Sequence, residues 1–255
     1  MLAALARWAA LSILWRKRSA HGIAQRPRRR GRVPTGASSG SRREGGVVPF
    51  VYHSVPRDMV GSVLYPLNQL QAIAPDRYAF QKAKYAGREA VLDYHIPGLG
   101  LLFNDTVHCS ALHPFYLLRA RQGLRFDPTA RPTSGWWTGM VYAVPLERIL
   151  IHPVVWYAWK TLWINGSPDD DVPLEPPAEE FEPFDPSRYQ ELSAPTERHL
   201  AYLRTMRDRG RRPLMFVHIP HVLVAGPIDV SGLEPRPWDE PPAQHRRAPS
   251  GTPTR

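Results

Sequence analysis

Twenty-eight prolines are spread through this chain of 255 residues, about twice the usual share. A proline lacks a backbone N–H and fixes φ near −65°, so it ends or kinks a helix and is shut out of central strands. A chain punctuated this often is confined to short elements joined by many loops. Apolar residues make up 43%, the ordinary globular share, so there is enough material for a core.

The formal net charge of +10 belongs to one end. Residues 1–46 carry eleven of the 33 Lys and Arg and a single acid, Glu44, leaving 22 bases and 22 acids for the rest. A neutral domain has no electrostatic bias toward nucleic acid, and none is expected to bind it. Within the leader, Met1 to Trp15 is apolar, interrupted by Arg7 and followed by Arg16-Lys17-Arg18. That order reverses a secretory signal, and the apolar stretch is too short to cross a bilayer. An amphipathic membrane-surface segment is one reading. A start placed too far upstream, with the domain beginning near Val47, is preferred. The run from Arg26 to Arg30 and the Ser/Gly-rich Thr35 to Ser41 read as disorder. Cys109 is alone, so no internal disulfide forms, in keeping with a cytoplasmic location.

Three parts are therefore expected: a basic leader over 1–46, one globular domain over 47–233, and a loose tail over 234–255. Strands are predicted over Val47–Val55, Ala90–Ile96, part of Leu101–Ser110, Met140–Val144 with continuation over Leu146–Ile151, Leu214–Val224 and Ile228–Leu233. Val154–Ile164 is a strand or a helix; its periodicity does not decide. Helices are predicted from Pro66 to Pro75, from Asp76 to about Tyr85, over Pro114–Gln122 with Gly123 beyond its end, and over Thr196–Arg209. An acidic, proline-rich loop fills 165–190. Strands and helices do not alternate as a doubly wound sheet requires, so the fold class is mixed α+β, with a mainly antiparallel sheet and short helices.

Several residues carry possible chemistry, each with a plainer alternative. His53, after Tyr52 on the first strand, can hydrogen-bond a ligand's hydroxyls or be satisfied by backbone. His108-Cys109-Ser110 ends a strand ahead of a helix. Cys109 is a nucleophile in one reading and a small buried residue in the preferred one, since strand neighbours face opposite ways. His218 and His221 flank Pro220, which disrupts helical metal-ligand geometry; they cap a bend, and no metal is expected. Asp105 orients a histidine or makes a turn. Trp136, Trp137, Trp156, Trp159 and Trp163 fill a core more readily than they stack bases. The chain has no GxSxG, P-loop, GxGxxG or HExxH signature.

Four segments fall in a suggestive order: Phe50-Val-Tyr-His53, Thr106-Val-His108-Cys-Ser110, Met140-Val-Tyr-Ala-Val144, and Phe216 to His221 followed by Gly226 to Val230. Together they resemble a family of small bacterial proteins with an ADP-ribosyltransferase-like fold. The resemblance implies a cleft holding His53, His108 and Ser110 with His221 nearby, and NAD as cofactor or substrate. By resemblance, His53 holds the ribose, Ser110 supports the nicotinamide side, and Tyr52 and His221 are the other cofactor-binding residues. ADP-ribose would pass to a macromolecule. The late carboxylate of such transferases has no clear counterpart; Asp229 and Glu234 are weak substitutes. Residues from Gly61 to Gly100 exceed the family pattern and stand as an insertion. Two other functions are weighed: a non-catalytic interaction or accessory protein, and a metal hydrolase using His108, His113, His218 and His221.

Overall fold

The structure is a computed structural model, and it describes residues 49–57, 59–86, 89–126, 137–162, 175–211 and 213–242. The leader, the tail beyond 242, Trp136, Trp163 and the first part of the acidic loop lie outside these residues. The strands in chain order are β1 (Phe50–Pro56), β2 (Val63–Leu64), β3 (His95–Ile96), β4 (Leu101–Leu102), β5 (Val107–Ser110), β6 (Trp137–Pro145), β7 (Val154–Tyr157), β8 (Phe181–Pro183), β9 (His221–Val224), β10 (Ile228–Asp229) and β11 (Arg236–Pro237). The α-helices are α1 (Leu67–Ile73), α2 (Pro75–Lys82), α3 (Pro114–Gly123), α4 (Leu146–Ile149) and α5 (Glu197–Asp208).

Seven strands form one sheet in the order β11-β6-β1-β5-β9-β7-β8, with every ladder antiparallel. The mixed α+β expectation therefore holds. The sheet's two faces differ. Val51, Val107, Cys109, Val222 and Val224 are buried on one face with Val144, against Leu146 and Ile149 of α4 and Leu64, Ile228 and Val230. On the other face the register aligns Tyr52, Ser110, His221 and Tyr157 in one row across four strands. His108 lies in the next row, opposite Leu223, which is itself opposite Val155. Leu67, Tyr85, Val91, Ile96 and Phe103 pack onto this second face beside Tyr157 and Leu223. The segment expected as an insertion is thus one of the walls of the domain.

Five expectations are corrected. Residues Glu89–Asp93 form a 3-10 turn rather than a strand, with Val91 buried; a short apolar alternation does not distinguish the two. Leu146–Ile149 is a helix, because Pro145 offers no N–H to extend the ladder and Leu146 and Ile149 both gain burial as a helical turn. Only His221–Val224 of the expected Leu214–Val224 strand is extended. The acidic loop contributes an edge strand, β8, paired with β7. The tail also begins later than expected. β11 pairs with β6, Trp238 is 3% exposed, and its indole N–H donates to the Met140 carbonyl at 2.7 Å. The predicted α5 stands, capped by Thr196, whose hydroxyl accepts from the His199 N–H at 3.1 Å.

Candidate functional site

Adjacent strands in this sheet hold one another unevenly. β1 pairs with β6 at six positions and β5 with β9 at four, but β1 and β5 share a single pair, Tyr52 with Ser110. Beyond that pair the register of β1 shifts between Ser54 and Pro56. A cavity of about 560 Å³ is lined there by His53 and Ser54 of β1, by Val107, His108 and Ser110 of β5, and by His221 of β9. Leu67, Leu70, Arg77, Gln81, Lys84 and Tyr85 supply another wall, and Trp159 and the segment 213–217 a further one. Volume and largely apolar lining suit a small-molecule site.

The three histidines are held neutral. Burial pushes His53 down to about 4, with Lys84 and His221 adding repulsion. His108 is pushed down to about 3, again by burial first, although its bond to the Phe103 carbonyl opposes the shift. Burial takes His221 to about 4. The mutual repulsion among His53, His108, His221 and Lys84 places them in one electrostatic neighbourhood. A carbonyl partner also fixes the tautomer, since the nitrogen facing a carbonyl must carry the proton. His108 donates from Nε2 to Phe103 O at 2.8 Å, and His221 donates from Nδ1 to Ile219 O at 2.7 Å. Nδ1 of His108 and Nε2 of His221 are then lone-pair acceptors.

The cavity also holds unmatched donors. The Nδ2 of Asn104, the Oγ of Ser54 and the indole Nε1 of Trp159 are buried without a hydrogen-bond partner among the described residues, and all three side chains line the cavity. Buried polar groups are nearly always bonded, so unsatisfied ones gathered at one cavity point to a ligand or ordered water. Arg57, Arg77 and Lys84 line the same space, and no described lining residue is Asp or Glu. Three cationic side chains and three buried donors thus share one lining.

The expected site residues separate into two groups. His53, His108, Ser110, His221 and Tyr52 all line the cavity. Two of them are already committed to structure. The Ser110 hydroxyl donates to the Leu112 carbonyl at 2.8 Å and accepts from the Leu112 N–H at 3.0 Å, shaping the exit of β5. Tyr52 donates its hydroxyl to Glu191 at 2.5 Å, and burial holds its pKa far above the ordinary value. Asp229 does not join the group. It is exposed on β10 and accepts from the backbone and hydroxyl of Ser231, which keep its pKa low. Glu234 is exposed as well and does not line the cavity.

Other candidates resolve into structural roles. Asp105 does not orient a histidine: it accepts from the Leu102 N–H and from Asn68, both at 2.9 Å. Cys109 is fully buried on the apolar face, and burial raises its pKa, so no thiolate is available as a nucleophile. His113 caps α3 by accepting from the Phe115 N–H, and His218 bonds the Trp159 carbonyl at 3.2 Å. No three His, Cys, Asp or Glu among the described residues are grouped to hold a metal ion, so the four histidines of the hydrolase reading are dispersed.

Sequence reasoning missed Lys84, Arg77, Ser54 and the cavity role of Trp159. Nothing local marks them, because α1, α2 and the turn after them reach the cavity only through tertiary packing. Asn104 stood beside Asp105 in a turn motif without a role. No family model, curated protein or solved structure matches the chain.

Proposed function

We propose that the cavity binds a nucleotide of the NAD type and that the domain is ADP-ribosyltransferase-like. One observation carries the reading: His53, His108 and His221, from three neighbouring strands, line a single cavity where β1 and β5 part. Neutral imidazoles with one nitrogen tied to a carbonyl present lone pairs that suit sugar hydroxyls. The cations Arg57, Arg77 and Lys84 suit phosphates. Tyr65, Tyr85, Phe103 and Phe216 give aromatic surface for a base.

Transfer of ADP-ribose to a macromolecule is the activity the resemblance implies. A second reading, in which the nucleotide is held and not turned over, is favoured by the lack of any carboxylate among the described lining residues, since cleavage at the ribose normally needs one to stabilise developing positive charge.

The test is a thermal-shift titration of the full chain with NAD, ADP-ribose and ATP, alongside His53→Ala. A ligand at a hundred times its Kd stabilises by about 2.7 kcal/mol, a shift of several degrees. The expected result is a shift in the native chain that His53→Ala loses. Silence from all three nucleotides would overturn the reading. Release of nicotinamide by the native chain would separate the transferase from the carrier.

A further inference from the structure

The turn carrying Trp159 is held in a costly backbone conformation. Trp159 has φ 45° and His218, which bonds its carbonyl, has φ 59°. Both are in the left-handed region that side chains other than glycine avoid, and strain of this kind gathers at functional sites. Glu180, 3% exposed, holds the turn in place. Its carboxylate accepts from the Lys160 N–H at 2.8 Å, the Thr161 N–H at 2.7 Å and the Thr161 hydroxyl at 2.5 Å, while its carbonyl accepts from the Ala158 N–H at 2.9 Å. The indole so fixed stacks on Tyr157, with centroids 5.5 Å apart and planes at 24°, and leans on His221 at 5.1 Å. Its N–H nevertheless has no partner among the described residues.

Asn104, 1% exposed, shows the same design from another element. Tyr85 donates to its Oδ1 at 2.8 Å, which orients the amide so that the nitrogen is the atom left over. An indole N–H and an amide N–H only donate, so each calls for a group that accepts. Lys84 and Arg77 stand on the same lining.

We propose that Trp159 Nε1 and Asn104 Nδ2 form the donor side of a phosphoryl subsite, with Lys84 as counter-charge and Glu180 as the positioning residue for the Trp159 turn. The subsite rests on the nucleotide reading and adds to it where the phosphates lie. They sit against the Asn104 and Trp159 walls, inside the cavity, and exposed Arg57 serves the rim.

The test uses the full chain and isothermal titration with ADP and with adenosine, which share base and ribose and differ in phosphate. The native chain should bind ADP at least tenfold more tightly than adenosine. Trp159→Phe keeps the ring and its stacking and removes the donor; it should weaken ADP about tenfold and leave adenosine unchanged. Asn104→Asp keeps an acceptor for Tyr85 and puts a negative charge where the donor stood; it should weaken ADP a hundredfold or more. The tryptophan fluorescence change on ADP binding should shrink in Trp159→Phe. Native-like ADP affinity in both variants, or equal losses for ADP and adenosine with folding intact, would overturn the subsite and leave the nucleotide reading standing. If the native chain binds neither compound, the nucleotide reading falls and inorganic pyrophosphate decides the subsite. Stabilisation of the native chain but not of Asn104→Asp keeps it; silence removes it.

Discussion

The four-residue strand β5 carries two different environments on alternate residues. Cys109, with Val107 at the margin of the cavity, faces a layer in which the neighbours across the sheet, Val51, Val222 and Val224, are apolar and essentially inaccessible. His108 and Ser110 face the cavity in line with His221 and Tyr52. One side is dry and close-packed; the other has neutral imidazoles, partnerless donors and cations around an open volume. The first face contributes apolar burial, whereas the second sets polar groups beside its own apolar packing of Leu67, Tyr85, Phe103 and Leu223. A domain arranged this way should fail differently depending on which face is attacked.

Acid attacks the buried histidines and should have the largest effect. Burial lowers the pKa of His53, His108 and His221, and of His113, His152, His199 and His218 elsewhere. Where values are defined they fall at about 3 to 4, against an ordinary 6.5. The sign follows from proton binding. Below about pH 6.5 the unfolded chain takes up protons that the folded chain refuses, so stability is full above that pH and falls as pH drops toward 4. Each such histidine contributes roughly 1.4 kcal/mol per pH unit in that window. Urea midpoints should drop steeply between pH 6.5 and 5, with cooperative uptake of several protons. A flat midpoint across that range would mean the imidazoles are solvated and the polar face is not as described.

A charge placed on the dry face should rank next. Val222→Asp puts a carboxylate opposite Cys109 and Trp156, at a position with no exposure. An unpaired buried charge costs about 5 kcal/mol or more and is expected to unfold the domain or leave it insoluble. One residue away, His221→Asn retains a side-chain amide able to donate to the Ile219 carbonyl and should cost only about 1 to 2 kcal/mol. Equal losses from the two substitutions would erase the distinction between the faces.

How much of this was legible depends on range. The β1 strand, α3 between Pro114 and Gly123, and the capped α5 follow from local signals: β-branched runs, proline at a helix start, glycine at an end, a threonine cap. His53, His108 and His221 stand out through their places on predicted strands and through the family resemblance, and they line one cavity because the strands carrying them are neighbours in the sheet. Lys84, Arg77 and Trp159 could not be found that way. Lys84 follows a helix with its apolar residues only loosely spaced, and it reaches the cavity because α1 and α2 fold back over the sheet. The Trp159 turn depends on Glu180, twenty-one residues later, in a stretch whose acidity and prolines signal only a loop. Asp229 failed for a related reason: an Asp two residues before a Ser satisfies itself locally, and the sequence gives that turn no less weight than a catalytic role.

Thr196 offers the smallest and finest probe, because it acts on the wall of the polar face without touching the cavity. Its hydroxyl accepts from the His199 N–H at 3.1 Å, capping α5, and donates to the His218 carbonyl at 2.7 Å. His218 has a left-handed backbone, φ 59°, and it adjoins the 213–217 segment that lines the cavity. Thr196→Ala loses both bonds and should cost about 1 to 2 kcal/mol, within the range of a lost cap. Thr196→Ser keeps both and should recover most of that. If the hydroxyl only caps the helix, nucleotide affinity in Thr196→Ala will match the native chain once stability is restored by lower temperature. If it also holds His218 in its left-handed conformation, and through it the Trp159 carbonyl, the affinity for ADP should fall severalfold while that for adenosine stays level. The difference between those two outcomes measures how far the order of the polar face is supplied from behind, by a helix that does not line the cavity.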